Sequence, residues 1–245
     1  MASEYWKWKF KDVRPEEKRE LTPEEKRKNW WHYHRWHVVI GIVLVGIAAN
    51  LVWNALGIGK TEPDYTFAYV GGAALPDDTA AALESAFAAL GEDLNGDGQV
   101  TVQLRQYVFK TGDMSREAAA AQTALMADIL EGDSYFFLLE EPMPFQQNFQ
   151  VLCRLDGSLP EEGDFSGEGT FYSWRLCPVL QSMELGEYAY DLLGETVTGS
   201  SDALVSGLFV ARRGYWNEKD CACPEGWAAL WDKLTEGAIG VVSVW

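Results

Sequence analysis

The chain has 245 residues, of which 47% are apolar, 13% aromatic and 23% charged, which excludes a disordered chain and allows one large domain or two modest ones. Its formal net charge of −17 is unevenly spread: residues 1–60 hold 11 Lys/Arg and 7 Asp/Glu, whereas residues 61–245 hold 9 and 30. A remainder that acidic repels phosphate backbones, which argues against nucleic acid as its partner.

Residues 1–28 form a charged arm. Tyr5, Trp6, Trp8 and Phe10 alternate with lysines, a pattern that suits an anionic leaflet or a plain cytoplasmic tag. Pro15 to Arg19 opens a short helical turn. Thr22-Pro23-Glu24-Glu25 predicts a firm helix start, with Thr22 as N-cap, Pro23 in the first turn and Glu25 closing a capping box. Residues 29–37 follow as an interfacial collar in which Trp30, Trp31, Tyr33, Arg35 and Trp36 supply aromatic and basic anchors. His32, His34 and His37 sit there without acidic or cysteine partners at ligand spacing, so anchoring is the reading preferred over a metal site.

The run from Val38 to Leu56 is uncharged, and its nineteen residues cover roughly 28 Å as a helix. Eleven are Val, Ile or Leu, each favouring insertion by about 0.3–0.6 kcal/mol. Positive charge before the run, Glu62 and Asp64 after it, and Trp53 as the opposite aromatic anchor predict an uncleaved single-pass signal anchor. The N-terminus is expected in the cytoplasm and the C-terminal part outside the cell. No small-x-small site follows the run, which disfavours a cleaved signal peptide.

Residues 57–63 read as a linker and 64–245 as an extracytoplasmic domain. Asp64 to Gly71 predicts a buried strand, and Pro76-Asp77-Asp78 starts a helix whose apolar face runs from Ala80 to Leu90. Val100 to Phe109 is the next strand, Ser115 to Leu130 an Ala-rich helix, and Tyr135 to Leu139 a wholly apolar strand. Strand, helix, strand, helix, strand implies right-handed crossovers and a layered α/β fold with a mostly parallel sheet. Farther on, Val151 to Leu155, Phe171 to Leu176 and Leu204 to Arg212 are strand candidates among turns. Glu225 to Glu236, with Trp227, Leu230, Trp231 and Leu234 at helical spacing, closes the domain as an amphipathic helix.

Phe67-Ala68-Tyr69-Val70, the helix after it, Val100 to Tyr107, and Leu125 to Leu138 around Gly132-Asp133 resemble the first lobe of extracellular solute-binding proteins of ABC importers. The likeness spans about residues 65–140. The whole chain, with its collar from Asn29 to His37, is similar to a group of single-pass envelope proteins from gut Clostridia. These resemblances imply a membrane-anchored binding module with a small solute or a protein as partner. The 186 residues from 60 to 245 are short for two lobes, and a helix stands where that family carries a lipobox cysteine.

Asp93-Leu94-Asn95-Gly96-Asp97-Gly98-Gln99-Val100-Thr101 resembles the first half of a calcium loop. Asp93, Asn95 and Asp97 sit at positions one, three and five, Gly98 turns at six, Gln99 offers a carbonyl at seven, and Thr101 stands at nine. Leu104 occupies the twelfth position, where a bidentate Glu is expected, so calcium would bind weakly; a turn built for backbone reasons is the other reading. Cys153, Cys177, Cys221 and Cys223 permit up to two disulfides, the preferred bridge joining the 153–177 region to 221–223.

Every histidine precedes Val38, so no imidazole base serves the acidic part, and no phosphate loop, nucleophile elbow or dinucleotide fingerprint occurs. Glu140-Glu141 and Glu161-Glu162 offer carboxylates for a glycosidase, but adjacent loop carboxylates read as solvated surface. Thr198 to Asp202 reads as a helix cap rather than an anion site. The leading expectation is a binding module without catalysis, with a structural subunit of a membrane complex and a carboxylate-based carbohydrate-active enzyme as alternatives. A binding module should show a cleft lined by aromatics such as Tyr172, Trp174, Tyr215 or Trp216.

Overall fold

The computed structural model describes residues 22–55, 62–161, 163–192, 195–214 and 224–240, and the chain separates into two compact units, residues 1–60 and 61–245. In the first unit, α1 (Pro23–Ala55) is one helix of 33 residues, about 50 Å long. It starts as the capping box predicts: the Thr22 N–H donates to Glu25 Oε2 at 2.9 Å, and the Glu25 N–H donates back to Thr22 Oγ1 at 3.4 Å. By length and composition Pro23–Val52 is able to cross a membrane, and its apolar window is not buried as a core helix would be. Trp30, Trp31, Tyr33, Arg35 and Trp36 are all exposed, and Trp30 stacks on His34 at 4.9 Å. Leu56 and the side chain of Trp53 lie outside the described residues, as do residues 1–21 and most of the linker.

The second unit is built on a five-stranded sheet. Its elements are β1 (Tyr65–Gly71), α2 (Asp77–Ala88), β2 (Val102–Val108), α3 (Arg116–Glu131), β3 (Phe136–Leu139), α4 (Pro142–Phe149), β4 (Phe171–Ser173), a 3-10 turn (Trp174–Leu176) and α5 (Pro178–Gln181). The remaining elements are β5 (Glu187–Leu192), β6 (Glu195–Ser200), α6 (Ser201–Val205), β7 (Phe209–Arg212) and α7 (Pro224–Leu234). The strand order is β2-β1-β3-β7-β4. β1 pairs in parallel with β2 and β3, while β7 runs antiparallel between β3 and β4, so four of the five strands point the same way.

Alternate residues of β1 face opposite layers. Tyr65, Phe67 and Tyr69 join Leu83 and Phe87 of α2 and Leu230, Trp231 and Leu234 of α7. Ala68 and Val70 join Leu125 and Ile129 of α3 and Phe145 of α4. All seven residues of β1 and all four of β3 are buried, as a strand covered on both faces requires. Ser115 caps α3, its Oγ accepting the Ala118 N–H at 3.1 Å, and Gly132 ends it at a φ of 80°, where a side chain would be strained.

Where α3 meets β3, buried Asp128 gathers the turn: its carboxylate accepts from the Ser134 N–H (2.9 Å), the Ser134 hydroxyl (2.7 Å) and the Tyr107 hydroxyl (2.5 Å). Burial and that bond push the Tyr107 phenol upward.

Three strand expectations are corrected. Val151 to Leu155 contributes an isolated bridge, Leu152 to Arg213, because the Leu152 N–H is taken by the Gln146 side chain at 2.9 Å. Phe171 to Leu176 is extended for three residues and then coils into the 3-10 turn. Leu204 and Val205 end α6, which Ser200 caps by accepting the Ala203 N–H, so strand β7 begins only at Phe209.

Candidate functional site

The two crossovers of the parallel part run in opposite directions across the sheet. The one through α2 leads to β2 on one side, and the one through α3 carries the chain back past β1 to β3 on the other. To keep the same hand, α2 and α3 must cover opposite faces, as the core clusters show them doing. Where the direction reverses, the loops at the carboxyl ends of adjacent strands part, and a crevice opens.

A cleft of about 300 Å³ lies there. Val70, Gly71 and Gly72 come from the end of β1, Phe109 to Thr111 from the end of β2, Leu139 to Glu141 from the end of β3, and Phe145, Asn148 and Phe149 from α4. A second hollow of about 350 Å³ shares Phe109, Thr111, Asn148 and Phe149 and extends toward Met114.

The polar wall is held in place. The Tyr69 hydroxyl lies 2.8 Å from Glu140 Oε1 and 2.9 Å from the Ala73 carbonyl, while the Gly72 N–H donates to Glu140 Oε2 at 2.8 Å. Burial, and then the hydrogen bond and charge of Glu140, push the Tyr69 phenol well above its ordinary range, so it remains a donor. A Cβ on Gly71 would fall 2.2 Å from the Tyr69 hydroxyl and 2.8 Å from the Glu140 carboxyl carbon, so glycine is what admits this contact. The Thr111 hydroxyl donates to Glu141 Oε2 at 2.8 Å and ties the β2 loop to the β3 loop. Three rings supply the apolar lining: Phe149 lies 6.3 Å from Phe109 and 5.0 Å from Phe145. An apolar wall facing a few fixed polar groups is the usual make-up of a small-molecule site.

Most of this cleft lies outside the residues singled out from the sequence. Glu140 and Glu141, read as solvated surface, are exposed but line it with their oxygens engaged. Trp174 is a core residue, 3% exposed beside Phe87, and Tyr172 packs against Trp231. Tyr215, Trp216 and Glu162 lie outside the described residues. A signal did exist: the three contributing loops each immediately follow a strand that the sequence predicts.

The Asp93–Thr101 loop is exposed over most of its length and closes on itself. Asp93 accepts the N–H groups of Gly96 (2.6 Å) and Gly98 (2.8 Å), Asn95 accepts that of Asp97, and Asp97 accepts that of Gln99. The Thr101 N–H donates to Asp64 Oδ2 at 2.7 Å. No group of three or more His, Cys, Asp or Glu placed to hold a metal occurs among the described residues.

The expected disulfide is corrected in part: Cys153 and Cys177 are buried free thiols, and Cys221 and Cys223 lie outside the described residues. Cys177 belongs to the core that contains Trp174 and Leu180, while Cys153 lies beside Gly214 with its thiol against the Arg212 side chain. Burial pushes the Cys177 thiol up to about 11. A thiol that ionises near 9 when unfolded favours the folded state below that pH, and the benefit drains away as pH rises toward 11. The 61–245 unit is therefore expected to lose on the order of 2 kcal/mol over that window, checked by urea unfolding of wild type and Cys177→Ala at pH 8 and 11. Alkylation mapped by mass spectrometry should find Cys153 and Cys177 protected until denaturant is added.

No family model matches this chain, and no curated protein or solved structure matches it.

Proposed function

We propose that the protein is a single-pass, membrane-anchored binding module of the solute-binding kind, its N-terminus cytoplasmic and its acidic unit outside the cell. The observation that carries the binding part is the cleft at the reversal of the crossovers, lined by three rings and by two hydrogen-bonded carboxylates. The collar of exposed Trp, Tyr and Arg beside an apolar helix supports the bilayer as the other partner. Calcium in the 93–101 loop has a structural part in this reading; with Leu104 at the twelfth position it would bind only at about 10⁻⁴–10⁻³ M.

Binding is favoured over a carbohydrate-active enzyme because both oxygens of Glu140 and one of Glu141 are engaged, by Tyr69, Gly72 and Thr111. The test is a thermal-shift screen of the full chain in detergent against amino acids, sugars and short peptides, run beside Asn148→Trp. Asn148 is exposed at the cleft wall, so the indole should fill the cleft and leave stability within about 0.5 kcal/mol. A compound that stabilises wild type and not Asn148→Trp supports the reading; no such compound refutes it. External protease should remove the acidic unit from intact cells, and protection there would overturn the orientation.

A further inference from the structure

The cleft carries both signs of charge, and their arrangement names a ligand class; this step rests on the binding reading above. Glu140 and Glu141 stand at the end of β3, and Lys110 stands at the end of β2. Lys110 lies along Gly72, since a Cβ there would be 2.5 Å from its Cε, and it has no ion-pair partner among the described residues. The two carboxylates accept only neutral donors, and neither has an ion-pair partner among the described residues. The apolar wall is aromatic and comes from α4 and Phe109. At about 300 Å³ the space is at the small end for ligand sites and suits a small molecule.

The geometry points to a small zwitterion with an apolar group, the chemistry of a free amino acid or a peptide end. Its ammonium meets Glu140 and Glu141, its carboxylate meets Lys110, and its side chain lies against Phe109, Phe145 and Phe149. The surplus of negative charge, in the cleft and over the whole 61–245 unit, makes the ammonium the obligatory half. A lone carboxylate is repelled by the carboxylates. A lone amine is accepted without help from the lysine.

Titration calorimetry of the full chain in detergent tests this with phenylalanine, phenethylamine and 3-phenylpropanoate. Phenylalanine should bind best, phenethylamine roughly tenfold more weakly, and 3-phenylpropanoate not measurably. Lys110→Met, an exposed change that leaves the fold intact, should lower phenylalanine to the level of phenethylamine and leave phenethylamine unchanged. Asn148→Trp should abolish both. If phenethylamine or 3-phenylpropanoate binds as tightly as phenylalanine, or Lys110→Met weakens all alike, the zwitterion assignment falls. If none of the three binds while another compound does, and Asn148→Trp removes it, the class is wrong and the cleft reading stands. If nothing binds, both fall.

Discussion

Phe136→Ala is expected to cost the 61–245 unit about 3–5 kcal/mol, the largest loss of any single substitution considered. Phe136 is fully buried at the start of β3 and has five rings around it, Tyr65 among them. It stacks on Phe67 at 4.6 Å and on Trp231 at 6.4 Å, and meets Tyr135 edge-on at 5.0 Å and Trp227 at 6.2 Å. Phe67 in turn stacks on Phe87 at 4.3 Å, so one ring column links α2, the central strands and α7. Truncation removes the transfer energy of the ring and leaves a cavity that rigid neighbours cannot close. For a unit of this size the midpoint of thermal unfolding should fall by roughly 6–20 °C. Met114→Ala, at a residue 97% exposed, should shift it by almost nothing. A Phe136→Ala loss below 1 kcal/mol would show that the column does not hold the sheet together.

The elements that form this column were the ones most legible in the sequence. A strand buried on both faces must be almost wholly apolar, as β1 and β3 are, an edge strand such as β2 alternates, and a helix covering them must carry apolar residues at helical spacing, so β1, α2, β2, α3 and β3 announced themselves within one or two residues of their ends. The hairpin of β5 and β6 did not, because Glu187, Asp191, Glu195 and Thr196 are exposed and no continuous apolar face records its register. Helix α4 is hidden as well: it has only eight residues, starts on Pro142 directly after Glu140-Glu141, and lies where the sequence turns rich in loop-forming residues.

The cleft was illegible for a different reason. Its residues come from four segments between Val70 and Phe149, and what unites them is the strand order, which no local pattern contains. Each segment taken alone has a bland reading: Gly71-Gly72 as a turn, Lys110-Thr111 as a loop, Glu140-Glu141 as surface. Once β1 is placed between β2 and β3, their ends become neighbours. The Tyr69–Glu140 and Thr111–Glu141 hydrogen bonds then turn surface residues into a wall. Chain topology, more than residue type, converts these positions into a site.

The loop after α2 shows the same lesson in energetic form, and Asp64→Ala is expected to cost about 3 kcal/mol there. Asp64 is 4% exposed, and its Oδ1 accepts the N–H groups of Leu94 (2.7 Å) and Asn95 (3.0 Å) while Oδ2 accepts that of Thr101 (2.7 Å). One carboxylate thus holds both ends of the glycine-rich loop against the start of β1. Alanine leaves three partly buried donors without an acceptor, each worth about 1 kcal/mol or more. Asp64→Asn should recover only part of the loss, since its amide nitrogen must face a backbone donor. Asp93→Ala removes two contacts in an exposed turn, where water can substitute, and should cost about 1 kcal/mol. Chemical denaturation of the three variants, with hydrogen exchange read at residues 94, 95 and 101, checks the ranking. If Asp93→Ala proved the more damaging, the loop would be held by its own acidic motif rather than by the strand residue behind it.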